Sequence, residues 1–150
     1  MRWMHSDSVV AQRLSCHELK GFLSKKIYID GHEHAFIEKD GKIVDEACNR
    51  SCKIGGLFGR GNTNIIIFDK SEKKLQRPVT GLWTANKSMV NASVLITFRV
   101  DGFSSFMSHF MRARNAVLIE DVWSEIKEEI LSKVIGPVIS KSSLLALSEN

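Results

Sequence analysis

The most regular hydrophobic pattern in the chain runs over residues 89–100, where Val90, Ala92, Val94, Ile96, Phe98 and Val100 alternate with Asn91, Ser93, Leu95, Thr97 and Arg99. Alternation of period two sends successive side chains to opposite faces, so this stretch predicts a strand with one face on a core and the other mostly in water. Only Leu95 breaks the pattern. Upstream, two β-rich runs flank Asp40-Gly41, and the favoured two-residue turn needs positive φ at both central positions. A hairpin is therefore predicted over residues 33–46, preceded by the short apolar run around Ile27 and Ile29 and a break at Gly31.

Gly55, Gly56, Gly59 and Gly61 mark a loop, and Ile65-Ile66-Ile67-Phe68 reads as a buried strand by its β-branched content. Lys70-Ser71-Glu72-Lys73-Lys74 reads as a solvated turn, residues 79–84 as a strand, and Asn86-Lys87 as another turn. After Asp101-Gly102 the period becomes helical, through Phe103, Phe106, Phe110 and Met111, then through Val122, Ile126, Ile130 and Val134. Glu120 and Asp121 open the second helix and Lys133 lies near its end, the polarity a helix dipole favours; Gly136-Pro137 is expected to stop it. A last short helix is expected over residues 138–147. Residues 1–26 form a lead-in segment in which Val9, Val10, Leu14, Leu19, Phe22 and Leu23 stand at loosely helical spacing. The expectation is an α+β domain over residues 27–150, mainly an antiparallel twisted sheet with a hairpin near its N-terminus and two or three C-terminal helices.

Composition narrows the class. A chain of 150 residues with 43% hydrophobic and 25% charged content, and only 2 prolines, is long and apolar enough to bury one core. The formal charge of +4 suits an anionic surface but is also ordinary for a soluble domain, and the arginines are scattered instead of forming a phosphate-tracking stripe. Apolar runs such as residues 65–68 stop far short of the roughly 20 residues a spanning helix needs. No apolar block follows the N-terminal Met1-Arg2-Trp3-Met4, and the cysteine count, 3, is odd, which favours a reducing, cytoplasmic setting.

Candidate chemistry is sparse. Residues 56–63 carry the glycine and threonine spacing of a phosphate-binding loop, but Asn62 stands where the lysine belongs and a strand follows where a helix should. His32, His34, Cys48 and Cys52 could supply four zinc ligands if the hairpin brought them together, although the two thiols are spaced more widely than usual. Cys16-His17 is adjacent in sequence, which says little about adjacency in space, and neither a nucleophile elbow nor a zinc-protease helix occurs. No catalytic constellation, cofactor motif or small-molecule substrate site is evident, so a non-enzymatic role is expected. Phe22 and Leu23 beside Lys25 and Lys26 are the candidate membrane contact. Trp123, Ile126, Ile130 and Leu131 widen the apolar surface of the second helix and are the candidate partner or self-association face.

The order of elements resembles the SPFH domain, also called the band 7 or prohibitin-homology domain. The resemblance rests on the hairpin 31–46, the glycine-rich loop after it, Ile65-Ile66-Ile67-Phe68-Asp69, Pro78-Val79-Thr80-Gly81, and the strand 91–101 closing on Arg99-Val100-Asp101. It covers about residues 27–140. Family members usually continue through a further helix and closing strand, and many add a membrane anchor and a coiled coil, so a C-terminally truncated or reduced member is expected. The resemblance implies a scaffold that self-associates, or binds a protein partner, beside a membrane without catalytic residues. Two other readings stand beside it. One is a zinc-stabilised module on His32, His34, Cys48 and Cys52; the other, less favoured, is a nucleic-acid binder using Arg60, Arg112 and Arg114.

Overall fold

The computed structural model describes residues 6–16, 25–54, 62–143 and 146–147, with the side chains of Lys25 and Ile54 excepted. These residues fall in two compact units, one drawn from Met1–Glu72 and Arg99–Ile119, the other from Lys73–Phe98 and Glu120–Asn150. The secondary structure is α+β, as the hydrophobic periods predict.

The first unit is built from seven strands: β1 (Val9–Ser15), β2 (Lys25–Ile29), β3 (Glu33–Lys39), β4 (Lys42–Ala47), β5 (Arg50–Ile54), β6 (Thr63–Asp69) and β9 (Ala116–Leu118). Five of them make one antiparallel sheet in the order β4-β3-β6-β1-β9, and β2 pairs with β5 in a separate two-stranded ribbon. The predicted hairpin is β3–β4; Asp40 and Gly41 sit at φ 50° and 79° in its turn. Here glycine answers a real backbone demand, since side chains with a Cβ avoid that region.

β6 lies inside the sheet and is buried on both faces, which is why four consecutive apolar residues replace the alternation of a half-exposed strand. Ile65 and Ile67 point to the ribbon and join Ile27, Ile29, Ala35, Ala47 and Cys52 in the main core. Phe68, on the opposite face, meets Phe103 and Phe106 at ring-centroid distances of 5.2 and 5.6 Å. Those rings belong to α1 (Phe103–Phe110), a helix with no acidic residue in its first turn and no side-chain cap at Gly102. So short a helix is not stable alone; docking of its half-buried phenylalanines on the sheet supplies the missing free energy, each ring contributing a part of the about 1.5–3 kcal/mol that full burial would give. Arg13 ties down the helix end. Its Nη1 donates to the Met111 carbonyl at 3.2 Å, while Nε lies 3.3 Å from Glu38 Oε2 as an ion pair without hydrogen-bond alignment.

β1 corrects the helical reading of the lead-in segment. Val9–Ser15 is a strand held by β6 on one side and β9 on the other, and Val10 and Ala11 are fully buried. The boundary expected at residue 27 therefore cuts through a sheet. The adjacent Val9 and Val10 favour extended backbone, and pairing on two sides outweighs a loose helical period. Leu19, Phe22 and Leu23 lie outside the described residues.

The second unit contains the hairpin of β7 (Lys73–Trp83) and β8 (Met89–Phe98) and a run of helix. β7 starts earlier than expected: Lys73, placed by sequence in a solvated turn, is only 6% exposed. The helix expected to end at Gly136-Pro137 instead continues. α2 (Ile119–Ile130) passes through a π-helical turn, Leu131–Ile135, into α3 (Gly136–Lys141), where the proline occupies the first turn. Proline is tolerated there because that N–H has no partner within its helix. The wide turn also needs Gly136, since a Cβ at that position would stand 2.8 Å from the Leu131 carbonyl oxygen. Among the described residues no helix is long and apolar enough to cross a membrane.

Candidate functional site

The four residues considered as zinc ligands do not converge. His34 lies on the α1 side of the sheet, stacked on Phe103 at 4.7 Å, with Nε2 3.3 Å from Glu46 Oε2. Cys52 faces the other way, inside the core between ribbon and sheet, where burial pushes its thiol pKa up and the Arg50 charge only partly opposes this. One ion cannot reach both faces of a sheet. Cys48 is exposed, with Lys70 Nζ 3.1 Å from its sulfur, and His32 sits in the turn before β3.

A different trio, Asp30, His32 and Glu33, brings ligand-type atoms within 4.8 Å of one another. The turn itself accounts for this closeness. Glu33, 2% exposed, accepts the Asp30 N–H at 2.8 Å and donates its own N–H to the Asp30 carbonyl at 3.0 Å. A buried carboxylate bonded in this way locks the β2–β3 connection.

In the first unit a cleft of about 670 Å³ lies between β5 and the β3–β4 hairpin, closed at one end by the start of β6. Its lining comprises Ile37, Lys39, Val44, Asp45, Arg50, Ser51, Cys52, Lys53 and Thr63. Three sequence features shape it. Asp40-Gly41 brings Lys39 to the end of β3, and Lys39 pairs in register with Thr63. A bulge in β4 shifts the register between Ile37 and Glu38, so that consecutive residues Val44 and Asp45 both reach the cleft. Asn49, at φ 51°, turns the chain so that Arg50 returns to Asp45 at 3.1 Å and to the Glu46 carbonyl.

Charge and hydrogen bonding in the cleft are unequal. Asp45 and Arg50 answer each other, whereas the ammonium groups of Lys39 and Lys53 meet no carboxylate among the described residues. Thr63 is 7% exposed and its Oγ1 is buried without a hydrogen-bond partner. A second, more polar recess of about 300 Å³ is lined by Arg13, Ser15, Asn62, Asn64 and Asn115, but its groups are largely engaged internally, as in the 2.9 Å bond from Asn64 Nδ2 to Glu38 Oε2.

In the second unit the notable surface is a strand edge. β7 and β8 form a two-stranded sheet, so each has one edge unpaired among the described residues. β7 carries Lys73, Lys74, Arg77 and Pro78, a register shift between Val79 and Leu82, and Gly81 at φ 74°. Charges, proline and bulges are the devices that blunt sheet edges. The ten residues of β8, MVNASVLITF, contain none of them.

The remaining expected site residues are placed as follows. Trp123, Ile126, Ile130 and Leu131 are half-buried along α2 and the π-helical turn, while Val134 and Val138 are 57% and 59% exposed. Lys26 is exposed in β2, opposite Lys53; Lys25 has a described backbone only, and Phe22 and Leu23 lie outside the described residues. Arg112 and Arg114 are exposed between α1 and β9, and Arg60 lies outside the described residues. The sequence places Lys39 and Val44 in the predicted hairpin but marks neither of them, nor Lys53, as a site residue. Thr63 was noticed only as the last position of the phosphate-loop spacing, yet it opens β6. No protein-family model and no curated protein matches the chain.

Proposed function

We propose that this protein is a non-catalytic scaffold or protein-interaction domain that self-associates through β8. The unguarded edge of that strand carries the reading. A free edge offers a row of backbone donors and acceptors, and a second copy can satisfy them by strand addition. Self-pairing of β8 across a two-fold axis would join two hairpins into a four-stranded sheet in the order β7-β8-β8-β7. With no charged residue in β8, that pairing opposes no like charges, whereas pairing of two β7 edges would bring lysines and Arg77 together. Met89 and Leu95, the apolar residues on the polar side of the strand and 63% and 65% exposed, would lie within the extended sheet surface. The SPFH resemblance points the same way.

The test is oligomeric mass by size-exclusion chromatography with light scattering, on wild type and on Asn91→Lys/Leu95→Lys. Both positions are exposed, so the hairpin should survive. Wild type should be dimeric or larger and the variant monomeric with an unchanged far-UV spectrum. A strictly monomeric wild type at high concentration removes the reading, and an oligomer that ignores both lysines places the interface away from β8.

Action beside a membrane belongs to the same proposal and rests on the resemblance together with Phe22-Leu23 next to Lys25-Lys26. Anionic liposomes should pellet wild type and not Phe22→Asp; equal behaviour of the two removes the membrane clause.

A further inference from the structure

We infer that Cys48 and Lys70 form a peroxide-responsive modification site, in which oxidation of the thiol is followed by closure of a covalent sulfur–nitrogen bond to the lysine amine. The two residues stand 22 positions apart in sequence, and Lys70 Nζ lies 3.1 Å from Cys48 Sγ. That is a near-attack separation for a bond between the two atoms. Three connections of the first unit hold the pair together. Cys48 and Asn49 link β4 to β5, and the Tyr28 hydroxyl of β2 donates to Asn49 Oδ1 at 3.2 Å. Lys70 follows β6, and its backbone N–H donates to the His32 carbonyl in the β2–β3 turn at 2.7 Å. Gly31, in the same turn, has its carbonyl oxygen 4.0 Å from the Cys48 sulfur. Both backbones are thus tied to β2 or to the turn that follows it, so the meeting of sulfur and nitrogen is set by the fold.

Burial makes the site selective. Cys48 is exposed, whereas Cys52 is buried and Cys16 half-buried, and burial raises the thiol pKa of both, which lowers the thiolate fraction that attacks a peroxide. All three thiols are free, and the group in contact with the Cys48 sulfur is an amine instead of a second thiol. The chemistry balances in two steps. The Cys48 sulfur attacks a peroxide, the O–O bond breaks, sulfur is oxidised by two electrons to the sulfenic acid, and the thiol proton leaves with the second oxygen as water. The Lys70 ammonium then gives one proton to solvent and its nitrogen attacks the sulfur. The S–O bond breaks, the hydroxyl leaves as water with a further proton from nitrogen, and the S–N bond remains. A thiol reductant reverses the step: it is oxidised to its disulfide while the Cys48 thiol and the Lys70 amine are restored. The bond would staple the β4–β5 turn to the end of β6.

The site is independent of self-association. The full chain is treated with a stoichiometric amount of hydrogen peroxide, quenched, digested with trypsin without reductant, and mapped by mass spectrometry. The expected product joins Cys48 to Lys70 in one species two hydrogens lighter than its parts, with no cleavage after Lys70, and dithiothreitol should restore both peptides. Lys70→Arg keeps the charge but offers no attacking amine, so the crosslink should be lost and Cys48 sulfinic acid should accumulate. Thermal melting supplies a second readout: peroxide should shift wild type upward by closing the loop, dithiothreitol should cancel the shift, and Lys70→Arg should not show it. Cys48 left unoxidised, Cys48 carried to sulfinic acid or into a disulfide while Lys70 stays free, or a crosslink that persists in Lys70→Arg overturns the proposal.

Discussion

Replacing Thr63 by valine should stabilise the protein, although the residue is buried in a strand. Thr63 is 7% exposed at the start of β6, its neighbour two positions on is the fully buried Ile65, and its Oγ1 has no partner. A hydroxyl desolvated without a compensating bond costs about 1–3 kcal/mol. Valine has nearly the same shape, keeps the β-branched preference for a strand, and puts a methyl where the hydroxyl was. The expected gain is about 1–2 kcal/mol, or roughly 2–8 °C in Tm for a chain of this size. Urea denaturation followed by far-UV circular dichroism reads it, with an unchanged m value showing that the unfolded state has not moved. Thr63→Ser is the counterpart: the hydroxyl stays, a methyl is lost, and stability should fall by about 1 kcal/mol. A Thr63→Val variant less stable than wild type would show that the hydroxyl is bonded in solution and would refute the reasoning.

Gly136→Ala should destabilise by about 1–3 kcal/mol although alanine is the better helix former, because its Cβ would press on the Leu131 carbonyl at 2.8 Å; a thermal melt showing no loss would refute the need for glycine at the π-helical turn. In native protein a thiol reagent should modify exposed Cys48 quickly and Cys52 only after unfolding; comparable rates for the two, separated by peptide mass mapping, would place Cys52 outside the core. Burial raises the Cys52 thiol pKa, so the folded state holds that proton more tightly than the unfolded chain. Its contribution to stability is therefore complete below the ordinary thiol range and is lost as pH rises through the raised value. The alkaline decline in stability should shrink in Cys52→Ala, whose baseline will be lower for want of the side chain.

Local signals in the sequence determined what local physics controls. Asp40-Gly41 specified a hairpin because its turn demands positive φ, and 50° and 79° are found there. β-branched content at 65–68 specified a buried strand, alternation specified β8, and the phenylalanine spacing after Asp101-Gly102 specified α1. What failed depended on distant partners. Val9–Ser15 carries a weak period of its own, and its strand conformation comes from β6 and β9, residues 64–68 and 116–118. The three-residue β9 is too short to leave a pattern, and Gly136-Pro137 reads as a stop unless the π-helical turn before it is known.

The cleft was illegible for the same reason. Lys39, Val44, Lys53 and Thr63 come from four different strands, and one of them enters only because a bulge in β4 changes the facing of consecutive residues. The unguarded edge was half legible: the sequence shows β8 without charge, proline or glycine, but only the sheet order shows that nothing among the described residues pairs with its outer side. Period and turn chemistry act over a few residues and can be read along the chain. Which strands adjoin, which edge is left open and which side chains share a cleft are fixed by pairing between remote segments, and tertiary structure alone decides them.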